Sequence, residues 1–330
     1  MKKYLLIGGL GFVGKKLAGY LAGKGHAITI MDIRDLTELE EISCTENRIN
    51  YIKGSATKDR DLDLVFEEHF EGVFHLASFV GIKNYISDPI GVITTTIDGT
   101  KKVAEKCIQH NTHLLFTSTS EVLGKNPNIP WKEDADRVYG STTRERWSYG
   151  SSKGVAEQLI IGLGKSKGLS YTVTRFFNIY GEDQNPIFII PKSIHNCLNG
   201  ISPLLYDSGN QTRSFTYIDD ALLALDSLIS NKSNGIFHIG SNYEHSIKDV
   251  INTIITLTNT KLSVQSVDTD HLYGKTYEDI SRRVPDVSKI FQEVGWKATT
   301  PLEEGLIKTI EWVKLHPWWL KKDSSISIQE

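Results

Sequence analysis

The first half of the chain alternates short apolar runs with longer stretches whose apolar residues recur every three or four positions. KYLLIG (3–8) and AITIMD (27–32) are two such runs, and they flank a predicted helix that opens near Phe12. INYIKG (49–54) precedes a helix-like DLDLVFEEHF (61–70), and GVFHLA (72–77) reads as a buried strand. A long helix ending near His110 leads into HLLFTSTS (113–120), and a second, over about 148–166, leads into YTVTRFF (171–177). This rhythm predicts an α/β fold, a Rossmann-type doubly wound parallel sheet with helices on both faces. Beyond Tyr180 the pattern loosens into loops, a short strand SFTYI (214–218) and helices near 219–230, 245–258 and 301–315. Two units are expected: residues 1–178 with about 214–240, and a smaller, discontinuous α/β unit of 179–213 with 241–330. The polar tail after Trp319 is expected to fray.

Glycines interrupt this pattern where they cost most. Gly8, Gly11 and Gly14 follow the first strand directly, and Asp32 closes the second. Glycine gives up more chain entropy on folding than any other residue, so bare backbone must be needed there. Strand, glycine turn, helix, strand and acid in that order suit a dinucleotide. Gly8 would permit the tight turn, Gly11 the approach of a diphosphate, and Gly14 close helix–strand packing, while the helix N-terminus offers N–H groups to the phosphates. A glycine triplet by itself is also compatible with a turn that merely packs. Asp32 would accept hydrogen bonds from the adenosine ribose and repel a 2′-phosphate, favouring NAD over NADP. Arg34, close by, weakens that preference slightly.

Composition narrows the picture by exclusion. The 330 residues carry a formal net charge of −3, which supplies no basic field for nucleic acid or an anionic membrane. Every apolar run is far shorter than the ~20 residues of a bilayer-spanning helix. The opening MKKYLLIGG reads as a strand and not as a signal peptide. Cys44, Cys107 and Cys197 are widely spaced and suggest neither a disulfide framework nor a metal site, so a reducing cytoplasm is the expected location. The histidines show no metal-ligand spacing, and no metal is predicted. His75 reads as a core residue, the tryptophans of LHPWWL (315–320) as a packing anchor or oligomer contact, and Glu67, Glu68 and Glu71 as a solvated helix end.

Three stretches carry candidate chemistry: FTSTSEVLG (116–124) and RFFNIYG (175–181) at strand ends, and WSYGSSKGVAEQ (147–158) on a helix. In an open parallel sheet, ligands lie beyond the carboxyl ends of the strands, so all three would face the crevice of the glycine turn. Tyr149 and Lys153 are four apart and share a helix face. A tyrosine is a poor base at neutral pH; an ammonium one turn away and a cationic nicotinamide would favour its phenolate. Thr119 could hold a substrate hydroxyl. A Y-x-x-x-K pair alone can equally be a surface pair.

Taken together, Gly8, Gly11, Gly14 and Asp32, HLAS (75–78), STSEVLG (118–124), Tyr149 with Lys153, RFFNIYG, QTRSFTYIDD (211–220) and RRVPDVSKI (282–290) resemble the extended short-chain dehydrogenase/reductase family, in its nucleotide-sugar epimerase, dehydratase and decarboxylase branch. The resemblance implies bound NAD, a UDP-sugar or other nucleoside-diphosphate sugar as substrate, and a homodimer formed through the two long helices. It implies a catalytic set of Thr119, Tyr149 and Lys153. It places Phe12, Val13, Ser55, Ala56, Leu76 and Ala77 with the glycines and Asp32 on the cofactor. Ser78, Asn178 and Arg213 would touch substrate, with 187–193 and 205–213 around the nucleotide. Ser55 stands where many relatives have an adenine-contacting aspartate, and Leu123 where a tyrosine is usual. Such enzymes first oxidise the sugar at C4, and the outcome then depends on the residues nearby. Ser120–Glu121, in place of the Asp-Glu of dehydratases, is similar to UDP-glucuronate decarboxylases, as is YGKTYEDISRRVPDVSK (273–289). Arg283 then matches an arginine near the sugar carboxylate, and Glu121 a residue positioning or moving protons at C5. Ser-Glu also occurs in 4-epimerases, so decarboxylation is the leading reading and 4-epimerisation the alternative. A 4,6-dehydratase, an ordinary reductase with exchanging coenzyme and a non-catalytic NAD-binding regulator follow behind.

Overall fold

The computed structural model describes residues 1–35, 48–78, 87–267 and 280–324. Cys44 and residues 273–279 of the decarboxylase-like stretch lie outside them. Seven parallel strands form the main sheet: β1 (Lys3–Ile7), β2 (Ala27–Asp32), β3 (Ile49–Lys53), β4 (Gly72–His75), β5 (His113–Thr119), β6 (Tyr171–Phe176) and β11 (Gly235–Ile239). Their spatial order is β11-β6-β5-β4-β1-β2-β3. The chain leaves β1 first toward β2 and β3 and later toward β4, so the switch point, where folds of this kind form their ligand crevice, lies between β1 and β4.

Helices cover both faces because the strands are apolar on both. Leu5, Ile7, Val73, Leu114 and Phe116 pack on one side with Leu62, Val103 and Ile160; Tyr4, Leu6, Phe74 and Leu115 pack on the other with Leu17, Leu21, Leu225 and Ile229. The first group meets α2 (Asp59–Val65), α3 (Pro89–Gln109) and α4 (Ser148–Lys167); the second meets α1 (Phe12–Gly23) and α6 (Ile218–Ser230). The predicted helix over 61–70 is earlier and shorter than expected. It ends at Val65, after which Phe66 and Phe70 turn inward, edge to face at 6.2 Å. Its acids are not simply solvated: Glu68 pairs with Lys3 at 2.8 Å and Glu71 with Lys232 at 3.0 Å.

The remainder builds small sheets beside the crevice. Strands β7 (Ile179–Tyr180) and β10 (Thr216–Tyr217) pair, as do β8 (Leu204–Tyr206) and β13 (Gln265–Val267). A three-stranded ladder joins β12 (Glu244–Ser246), β9 (Thr212–Ser214) and β14 (Arg282–Arg283). Helices α5 (Ile189–Leu198), α7 (Ile247–Leu257), α8 (Ser288–Val294) and α9 (Leu302–Leu315) complete the described chain. The stretch past Trp319 is partly held: Lys322 bonds Asp183 at 2.7 Å, and Asp183 also pairs with Lys15 in the first turn of α1. No described helix is long and apolar enough to cross a membrane.

Candidate active site

Gly8 sits at φ +82°, and a Cβ there would lie 2.5 Å from Ala77 Cα. Ala77 is pinned in turn, because its N–H and that of Leu76 both donate to Ile7 O, at 2.9 and 2.8 Å. A Cβ on Gly14 would strike Gly9 Cα at 2.6 Å, so the helix lies directly on the turn. Gly11 is different. Its backbone is ordinary (φ −67°, ψ 169°), and a Cβ would meet only Gly8 O, at 3.4 Å. Packing within the protein leaves room for a side chain at 11, so the glycine there fits the diphosphate approach expected from the sequence. Helix α1 has no side-chain cap and no acid in its first turn, which leaves its leading N–H groups for an anion. These residues fit a dinucleotide. Asp32, nearly buried, accepts from Leu10 N at 3.0 Å and Arg34 N at 3.1 Å, and Arg34 Nε reaches it at 3.2 Å. Ser55 and Ala56 follow β3, with Ser55 N bonded to Asp61 at 2.9 Å.

Thr119 ends β5, and its hydroxyl accepts from Glu121 N at 3.2 Å, opening a short turn over Ser120–Leu123. Tyr149 lies in the first turn of α4, packed on Val92, and the hydroxyls of Ser78 and Thr119 lie close enough to favour its phenolate. That help is outweighed. Burial first, and the charge of Glu121 second, push the phenol above its ordinary range. Lys153 is buried, donates to Thr117 O at 2.9 Å and lies 4.4 Å over the Phe116 ring. Burial brings its ammonium down to about 7, against the opposing pull of Glu157. Without coenzyme, burial thus sets the balance at Tyr149, against the acidification expected of Lys153 together with a cationic nicotinamide. The cationic ring beside the phenol is what NAD supplies when bound. Glu157 is held by Arg175 at 3.0 and 2.7 Å and by Ser118 at 2.5 Å, a buried network the sequence did not disclose.

Across the crevice, Arg213 and Arg283 are register partners in parallel strands and so point to one face. Arg213 donates to Thr212 O at 2.8 Å. Asn178, at φ +42°, turns its amide to Ser214 O at 3.0 Å, tying the end of β6 to that strand. Glu121 lies between two arginines: Arg283 Nη1 meets Oε1 at 3.3 Å, and Arg146 Nη1 meets Oε2 at 2.5 Å. Burial would raise its carboxyl, but the guanidiniums of Arg146, Arg283 and Arg213 outweigh burial and hold it at about 2. The surrounding guanidiniums thus favour the carboxylate form of Glu121. Arg146 was not singled out from the sequence. The usable signal was its place three residues before Tyr149, a helical spacing. Several polar atoms are buried without a partner among the described residues: Ser193 Oγ, Ser214 Oγ and Arg283 Nε. Ser193 belongs to the stretch expected to cradle a nucleotide, and it lies in the first half of α5.

Residues 4–240 match the sequence model of the NAD dependent epimerase/dehydratase family.

The chain belongs to that family.

It is accordingly an NAD-dependent enzyme. Among curated relatives, a UDP-N-acetyl-alpha-D-glucosaminuronate decarboxylase of Bacillus cytotoxicus is 35% identical over 95% of this chain and 98% of its own length. UDP-glucuronic acid decarboxylase 1 of Danio rerio is 30% identical over 94% of this chain and 72% of its own. The fold also matches the UDP-N-acetylglucosamine 4-epimerase of Methanobrevibacter ruminantium M1, solved with UDP-N-acetylmuramic acid: TM-score 0.85, 26% identity, covering 96% of this chain and 99% of that one.

Proposed function

We propose that this family member decarboxylates a UDP-linked hexuronic acid, UDP-glucuronate or its 2-acetamido counterpart, through a transient ketone at C4. One observation carries the reading. The crevice gathers three guanidiniums, Arg146, Arg213 and Arg283, around a single carboxylate, Glu121. That surplus positive charge suits a substrate with two anionic ends, a diphosphate and a sugar carboxylate. The relatedness to two uronate decarboxylases supports it.

In this reading Tyr149 takes the proton of the C4 hydroxyl at its phenolic oxygen, while Thr119 and Ser78 hold that hydroxyl. Lys153, its ammonium lowered by burial, would bond the nicotinamide ribose. NAD supplies the oxidant for C4. Arg213 and Asn178 hold the diphosphate end, Arg283 faces the sugar carboxylate, and Ser120 and Glu121 line the C5 side. Once C4 is a ketone, the carboxylate is that of a β-keto acid, and the bond to carbon dioxide breaks with its electron pair delocalised onto the ketone; C5 then takes up a proton, and return of the hydride to C4, with the Tyr149 proton going back to the C4 oxygen, would leave no net oxidation. The test is incubation with a panel of UDP-, dTDP-, GDP- and CDP-sugars, read by mass spectrometry. Loss of carbon dioxide from a UDP-uronate is expected; unchanged mass with inverted C4 would establish the 4-epimerase alternative instead.

The same reading takes the enzyme as a cytoplasmic homodimer. Ile90, Ile93 and Val155, on the two long helices, are exposed apolar side chains suited to a shared helical interface. Sedimentation should give twice the chain mass, and a monomer at working concentration would remove the dimer.

A further inference from the structure

The contacts of Glu121 are unequal, and the inequality has chemical meaning. Arg146 holds one carboxylate oxygen at 2.5 Å and Arg283 the other at 3.3 Å. Arg146 is nearly buried in the turn Glu145–Trp147, which runs without a break into α4 and Tyr149. Its position is therefore set by the same rigid element that sets the phenol. Arg283, by contrast, sits on a two-residue strand and makes the longer of the two contacts. A long contact made from a two-residue strand exchanges partners more readily than a short one made from a turn continuous with a long helix.

We propose that Arg146 is a positioning residue of the reaction: it is the permanent partner of Glu121, so that Arg283 can leave that carboxylate for a substrate anion without releasing it. The inference rests on the site reading above, and deepens it. If Arg283 turns to a sugar carboxylate, Glu121 loses one counter-charge and gains a negative neighbour. Arg146 then keeps the glutamate seated and keeps its charge from reaching Tyr149 undiminished. The groups facing Glu121 are Arg146 from the turn, Arg283 and Arg213 from adjacent strands, and the phenols of Tyr139 and Tyr149. Of these, Arg146 and Tyr149 alone share one continuous helical path.

Two readouts test this. Protein labelled with [13C]carboxyl glutamate gives the Glu121 signal, assigned by its loss in Glu121→Gln. In the native protein that signal should not titrate above about pH 4; in Arg146→Met its midpoint should rise by more than about one pH unit, with Arg146→Lys in between. Turnover of UDP-glucuronate should fall by about 100-fold in the Met variant, with a new acid limb in the pH–rate profile, and recover in part with Lys. Retained NAD and thermal midpoint, measured alongside, identify a variant that has merely lost its fold, in which case the Lys variant carries the comparison. Glu121 titrating alike in native and Met proteins, or a rate loss with an unshifted profile that Lys does not repair, overturns the proposal. A native enzyme that leaves UDP-uronates untouched would overturn the function proposed above, and the carbon-13 titration, which needs no substrate, would still judge Arg146.

Discussion

Tyr149→Phe should lower kcat by about 100- to 10,000-fold, the usual worth of a positioned general base, and leave NAD retention unchanged. The ring is buried against Val92, and the phenol oxygen is itself desolvated, so removing the hydroxyl leaves the packing intact. The thermal midpoint should therefore hold or rise slightly. In the native enzyme the phenol is raised by burial and by Glu121. A base acts only in its deprotonated form, and a raised pKa means that form grows as pH rises. Turnover should climb across about pH 6 to 9 and lose that slope in the variant's residual activity. Native-like rates in Tyr149→Phe would remove the mechanism.

The second large effect separates two glycines of one turn. Gly8→Ala forces a side chain into a left-handed backbone (φ +82°) and against the Ala77 backbone at 2.5 Å. Strain and overpacking together should cost about 2–6 kcal/mol, enough to threaten folding outright. Gly11→Ala meets neither problem, so its thermal midpoint without coenzyme should match the native protein. Its methyl would stand where the diphosphate must lie, and NAD affinity should fall at least about tenfold, or about 1.4 kcal/mol. Paired melts and coenzyme titrations check both. An alanine at 11 that binds NAD normally would mean the open backbone there serves something else.

Much of this architecture was legible because local and long-range signals agreed. The strands beneath the crevice are apolar on both faces, and the long helices carry clear periodicity, so their bounds fell within a residue or two of those expected. The glycine turn was readable because three glycines after a strand have few other uses. What escaped notice was set by tertiary contact. The strand Gly235–Ile239 pairs with Tyr171–Phe176, a partner far back along the chain that no local pattern announces. The helix over 61–70 failed at Val65 because Phe66 and Phe70 are more stable turned into the core than continued along a helix face. Arg146 and Glu121 are 25 positions apart, and no pattern along the chain announces that they touch. For Tyr149, spacing reveals that a lysine is near, whereas the burial that works against its phenolate is a property of the folded whole.

Asp32 illustrates how closely recognition and scaffold can overlap. Its carboxylate, facing the position expected of the ribose, also pegs the glycine turn through Leu10 N–H. Any attempt to re-engineer the enzyme for a phosphorylated coenzyme by erasing that acid would unpin the loop it was meant to retune. Asparagine, which keeps an acceptor for the peg while shedding the charge, is the sounder starting point, with Arg34 and Lys53 at hand to receive the extra phosphate.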